Sequence, residues 1–301
     1  MGDKSAIEWT DATLNVVTGC TKVSPACANC YIAGTPPFRI AGRKFVKGHI
    51  PLVLHEDRLM LPLRWTKPRK IFVNSLSDLF HDDVPDELID KLFGMMALAP
   101  QHVFQILTKR PERMLAYMLS RARDTVYPEM AIVLHPELVN GKPFQIRITW
   151  PLPNVWLGVS VENQHWADKR IPLLLQTPAA VHFISAEPLL GFVNLRGWGG
   201  PGWVCKKCEV YQSAQMAVCV NCREPNPWKG TIGRLDWVIG GFESGRRRRD
   251  GNVDHARFLR DQCAKEGIAF MWKQNGGLTS KAGGRLLDGR THDEYPSAQH
   301  A

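Results

Sequence analysis

Six short apolar runs recur along this chain, separated by segments with helical spacing. They are "KIFVNSL" (70–76), "HVFQILTK" (102–109), "VWLGVSVE" (155–162), "VHFISAEP" (181–188), "LDWVIGGFE" (235–243) and "AFMWKQ" (269–274). Apolar and β-branched residues follow one another almost without interruption in each, which suits strands buried on both faces of a parallel sheet. "TLNVVTG" (13–19) reads as a first strand ahead of them. "PDELIDKLFGMMALAP" sets Leu88, Ile89, Leu92, Phe93 and Met96 at helical spacing behind Pro85 and Asp86. "RPERMLAYMLSRA" opens on Pro111, tolerated in a first turn. "HWADKRIPLLLQTP" is interrupted by Pro172, and "DHARFLRDQCAKEG" stops at Gly267. Strand then helix, repeated, predicts an α/β fold with a parallel sheet, either open and doubly wound or closed as a partial or full barrel.

Two segments break that rhythm within what otherwise reads as a single domain over 1–301. Residues 124–154 read as an inserted β-hairpin turning at "NGK" (140–142). Residues 197–230, rich in Gly, Pro and Trp, read as a second insertion. Several strands end in polar residues, the place where parallel α/β sheets put their sites.

Lys and Arg number 38 against 29 Asp and Glu, a net charge of +9. That balance favours polyanionic partners such as nucleic acid, and fits a solvated basic surface equally well. The opening residues carry charge and no apolar run, and no stretch reaches the length of a membrane span. The expectation is a cytoplasmic protein without membrane contact.

Seven of the eight cysteines fall in two clusters. Clustered cysteines in a reducing compartment read as metal ligands. Cys205, Cys208, Cys219 and Cys222 form CxxC, ten residues, CxxC, which predicts a closed tetrahedral Zn2+ site in a small zinc ribbon, with a rubredoxin-like iron site as the lesser option. Lys206, Lys207, Arg223, Lys229 and Trp203 around it suit nucleic acid, although a purely structural staple is the simpler role. Cys20, Cys27 and Cys30 are spaced by six residues and then two. Three thiolates suit a [4Fe-4S] cluster with one iron left without a protein ligand. The rival is a zinc site completed by His49, His55 or His81. Cys263, alone in a helical pattern, reads as a small buried hydrophobe.

The opening "IEWTDATLNVVTGCTKVSPACANCYIA" (7–33) has its three cysteines just after a first strand. With "NSLSDLFHDDVP", "FQILTKRPERM", "PNVWLGVSVEN", "FISAEPLLG", "LDWVIGGFESG" and "LLDGRTHDEYP" in order behind it, the chain resembles the radical S-adenosylmethionine (SAM) superfamily. Within it, the resemblance is to a phage- and prophage-associated branch, and it spans residues 7–296 apart from the two insertions. It implies a partial or full parallel (β/α) barrel in which Cys20, Cys27 and Cys30 hold the [4Fe-4S] cluster and SAM chelates the open iron. An external electron donor would reduce the cluster, and cleavage of SAM would give a 5′-deoxyadenosyl radical. The chain departs from the superfamily's pattern in three places. The first gap is six, Asn29 precedes the last cysteine with Tyr31 just after it, and no Gly-Gly-Glu follows the second strand. Asn74, Ser75, Ser77 and Asp78 stand there instead and are assigned to the SAM amino group. Ser160, Glu162 and Glu187 suit the ribose or carboxylate, and Tyr31 the adenine. Lys109, Glu187 and Glu243 are the candidate catalytic residues. Arg246, Arg247, Arg248 and Arg249 are candidates to grip phosphates of a nucleic acid or nucleotide. A peptide or small-molecule substrate is the enzyme alternative. A non-catalytic zinc protein that binds DNA or RNA is the alternative of another class.

Overall fold

A computed structural model describes residues 4–120, 149–195, 197–200, 202–207, 211–212, 217–219, 221–225 and 228–297. The chain divides between Leu157 and Gly158 into two compact units. In the first, β1 (Ala12–Leu14) is followed by β2 (Val17–Thr21), α1 (Pro36–Ile40), β3 (His49–Leu54), β4 (Lys70–Val73), α2 (Asp86–Ala97), β5 (Val103–Thr108) and α3 (Pro111–Ser120). β1 pairs in parallel with β4, and β4 with β5. β6 (Val155–Ser160) carries the chain across the division. The second unit holds α4 (Gln164–Leu174), β7 (Val181–Ala186), β8 (Gly202–Cys205), β9 (Tyr211–Gln212), β10 (Trp228–Ile232), β11 (Trp237–Gly241), α5 (Val253–Glu266) and β12 (Ala269–Gln274). β11 pairs in parallel with both β7 and β12.

The expected α/β fold with a parallel sheet is present, in the strand order β1-β4-β5-β6-β7-β11-β12. β1 and β12 are the two ends of that order, so among the described residues the sheet is an open run of seven strands. All six apolar runs are strands of it, and every residue of β6, β7 and β11 is buried. Continuous apolar sequence is the consequence of that two-sided burial.

The helices follow from their apolar faces and their ends. α2 buries Leu88, Ile89, Leu92, Phe93 and Met96, with Asp86 and Glu87 in its first turn where carboxylates favour the helix dipole. Each such side chain removed from water contributes roughly 1.5–3 kcal/mol. Against it lies α3, whose Tyr117 hydroxyl donates to buried Asp90 at 2.7 Å. α4 is capped by Asn163, whose side chain accepts from the Trp166 N–H, and it runs through Pro172 to end two residues later. α5 is capped by Asn252 and ends at Gly267, which takes φ +65° in the left-handed region that favours glycine.

The residues 197–230 expected as an insertion contribute to a separate antiparallel sheet of order β10-β8-β9 between β7 and β11. The expected hairpin of 124–154 lies outside the described residues apart from 149–154. Among the described residues no helix is long and apolar enough to cross a membrane.

Candidate metal centre

The expected first strand, 13–19, is two strands with a break. β1 ends at Leu14, and Asn15 then leaves the parallel sheet. Its buried Oδ1 accepts from the Leu76 N–H at 2.8 Å, and the side chain also bonds the Ser75 hydroxyl. Asn74 takes φ +59° and accepts from the Val17 N–H at 3.1 Å, while the Ser77 hydroxyl donates to the Val17 carbonyl at 2.9 Å. These bonds clamp the start of β2, which turns out of the sheet and pairs antiparallel with β3. The pairing shifts register between Thr18 and Cys20, at Gly19 with φ +108°. A Cβ at Gly19 would stand 2.2 Å from the Pro51 carbonyl oxygen, so only glycine allows this bulge.

Cys20 is therefore a residue of a strand. The chain leaves β2 at Thr21, is tied by the Lys22 N–H to the Gly48 carbonyl, and enters a short 3-10 turn at Pro25–Cys27. The six-residue gap is the length needed to leave a strand and make that turn. Cys30 follows at the head of a second short turn, Tyr31–Gly34. Lys22 Nζ closes the loop by donating to the Ala28 carbonyl at 2.8 Å. Cys20 and Cys30 pack against one small core of Ile32, Phe38 and Ile50, and each of the three thiols lies within electrostatic reach of the others.

Behind Cys20 stands a buried polar brace. Asp78 accepts from the Thr108 hydroxyl at 2.6 Å, the Lys109 and Phe80 N–H groups at 3.0 and 3.1 Å, and Arg110 Nη1 at 3.0 Å. Arg110 also donates to the Thr21 carbonyl, the residue after Cys20. Arg110 is absent from the sequence-based assignments, although its place beside Lys109 at a strand end, just ahead of Pro111, was the available signal.

The thiols are electrostatically unequal. Burial pushes the Cys20 thiol up to about 12, with Asp78 adding to the rise and Arg110 opposing it. Burial also raises Cys30. Burial works against Cys27 too, but Lys109 and backbone hydrogen bonds at Val23 and Ser24 bring its thiol below the ordinary value. A bound cation is what would hold all three as thiolates, because metal binding displaces thiol protons. One ion with thiolate bonds of about 2.3 Å draws its sulfurs to roughly 3.8 Å of one another. Among the described residues, the ligand group with all donor atoms within 4.8 Å is Cys205, Cys219 and Cys222, not this triad. Of the histidines expected as possible zinc ligands, His49 Nδ1 and His81 Nε2 meet the Thr21 hydroxyl at 2.8 and 2.9 Å, and His55 Nε2 meets the Thr18 hydroxyl at 2.9 Å.

Other assigned residues have structural partners. Tyr31 reaches over the loop, its hydroxyl donating to the Ser75 carbonyl. In the second unit, Glu162 forms a buried ion pair with Arg170 at 3.0 Å, and Arg170 also donates to the Ser160 carbonyl. Glu187 pairs with Lys273. Glu243 accepts from the backbone N–H, Nε and Nη2 of Arg249. The arginine run is therefore split: Arg249 folds back on Glu243, while Arg246, Arg247 and Arg248 are exposed. Of the second cluster, Cys208 lies outside the described residues.

No curated protein and no solved structure matches the chain. A family described as "Protein of unknown function (DUF5131)" matches residues 4–296. That match covers nearly the whole chain with no radical SAM domain, and it corrects the expected membership of the radical SAM superfamily. In the structure Cys20 is set by a bulge in an antiparallel strand, Asn74 Oδ1 and the Ser77 hydroxyl bond Val17, the Ser75 hydroxyl bonds Asn15, and Asp78 pairs with Arg110. From a match over residues 4–296, the chain belongs to the DUF5131 family.

Proposed function

We propose that Cys20, Cys27 and Cys30 hold a [4Fe-4S] cluster with one iron free of protein ligands, and that the chain is an enzyme using this open iron. The observation that carries the reading is three thiols brought within reach of one another's charge by β2 and the two short turns behind it, with Lys109 acting on two of them. Reduced by an external donor, such a cluster supplies one electron to a ligand of its open iron, and SAM is the ligand we assign, since its amino and carboxylate groups chelate. Lys109 carries its charge beside Cys27 and Cys30, where it offsets the negative charge of the thiolates and attracts a carboxylate. Arg110 and Asp78 hold the backbone at Thr21 and so fix the direction of Cys20. Gly19 and the Asn15–Ser75 contact keep the loop seated. The basic balance and the exposed Arg246, Arg247 and Arg248 favour a nucleic acid or nucleotide as substrate.

The test is anaerobic incubation of iron-loaded chain with SAM and a strong reductant. Formation of 5′-deoxyadenosine, abolished in Cys27→Ala and sharply slowed in Lys109→Ala, supports the assignment. A fully iron-loaded chain that leaves SAM intact contradicts it.

A further inference from the structure

The small sheet of the second unit holds a cysteine site separate from the one used above. β8 ends on Cys205 and the chain turns at Lys206 and Lys207. The Lys207 N–H donates to Cys205 Sγ at 3.4 Å. A second turn supplies the facing pair. The Cys219 N–H donates to the Glu224 carbonyl at 2.8 Å, the Arg223 N–H returns to the Cys219 carbonyl at 2.9 Å, and Arg223 takes φ +61° to make the turn. Cys205, Cys219 and Cys222 place their sulfurs within 4.8 Å of one another, with 3.5 Å between Cys205 and Cys222. A disulfide would need about 2.05 Å. Tetrahedral ligation of one ion through thiolate bonds of about 2.3 Å needs roughly 3.8 Å, close to what is present.

Among the described residues, the buried apolar cluster of this sheet is Cys205 and Cys219, with Trp203 and Cys222 packed against them. A unit this small needs a staple. Its charges suit a thiolate-rich centre, since Lys206 and Lys207 flank one turn and Arg223 the other. Lys207 pairs with Glu224 across the two turns.

We propose that Cys205, Cys219 and Cys222 bind one zinc ion, and that this ion holds the sheet of β8, β9 and β10 together. The site is structural: its sulfurs lie around one centre, and the Lys207 N–H orients Cys205 Sγ as an outer shell orients a metal ligand. The proposal rests on these three residues; Cys208, the fourth cysteine of the spacing, lies outside the described residues. It is independent of the iron assignment made for the first three cysteines.

The test measures zinc and iron by mass spectrometry in the purified full chain, in Cys219→Ser, in Cys222→Ser and in Cys27→Ala. The expected result is one zinc per chain, lost in both ribbon variants with iron unchanged, and retained in Cys27→Ala. Cobalt in place of zinc should give intense thiolate-to-metal bands. A chelator added to wild-type chain should raise proteolytic cleavage within 202–232 at least tenfold, a readout that stands even if the serine variants fold poorly. Zinc retained in Cys219→Ser, iron in this site, or a metal-free Cys205–Cys222 disulfide in wild-type chain would each overturn the proposal. A chain that binds zinc but no iron would support it while removing the function proposed above.

Discussion

Replacing Asp78 should loosen the whole cysteine loop. Its carboxylate and the Arg110 guanidinium are nearly buried, with side-chain exposures of 7% and 10%, and they pair at 3.0 Å. Asp78→Ala leaves Arg110 without its carboxylate and strands the Thr108 hydroxyl and the N–H groups of Phe80 and Lys109. Removing one partner of a buried pair costs about 3–5 kcal/mol. At about 1.4 kcal/mol per factor of ten, the open form of the loop should become at least ~100-fold more populated. The assay is site-resolved alkylation of Cys20 in metal-free chain, read by mass spectrometry, beside urea unfolding. Loss of the Asp78 charge also eases ionisation of Cys20, since that charge helps to raise its thiol. Asp78→Asn separates the two effects: it removes the charge but keeps an oxygen for Thr108. The alanine variant should therefore react faster than the asparagine one, and Asp78→Ala with Arg110→Met should recover part of the stability. Equal rates in the two single variants, or a stability loss under about 1 kcal/mol in the alanine one, would refute the brace.

Gly19→Ala should be as damaging as any single methyl in the first unit, because its Cβ meets the Pro51 carbonyl at 2.2 Å in a left-handed backbone; cluster retention after purification and the urea midpoint should both fall, and unchanged values would contradict the bulge. Arg246→Ala, Arg247→Ala and Arg248→Ala combined should reduce the slope of log affinity against log salt for single-stranded nucleic acid by about 2; an unchanged slope would remove these side chains from the interface. Acidification should destabilise the second unit through His182. Burial holds it below its ordinary value while the Thr177 carbonyl and Asp236 oppose that shift. The unfolded chain takes up a proton below pH ~6.5 that the folded chain refuses until lower pH, so stability falls as pH drops from about 6.5. Urea midpoints from pH 7 to 5 should show this fall, and less of it in His182→Gln.

The parallel sheet was legible because two-sided burial leaves a continuous apolar signature, and β4, β5, β6, β7, β11 and β12 all carry it. β3, HIPLVL, is just as apolar but buries Ile50 alone among its six residues, contains Pro51 and pairs antiparallel with β2, so there an apolar run does not mark a strand of the parallel sheet. The break at Asn15 was illegible for another reason. Its cause is a set of hydrogen bonds to residues some sixty positions away, which no local pattern encodes. The same holds for the site. Three clustered cysteines raise the expectation of a metal, but where Cys20 stands is set by Gly19 and by how β2 leaves the sheet. The strand-end carboxylates were found as residues and not as partners, since Glu162, Glu187 and Glu243 meet Arg170, Lys273 and Arg249 only through folding.

Iron and acid-labile sulfide in chain purified without oxygen test the central claim most directly. About four of each per chain are expected at Cys20, Cys27 and Cys30, lost in Cys27→Ala while zinc stays. Chain that carries zinc at these three cysteines and takes up no iron on anaerobic reconstitution would contradict it.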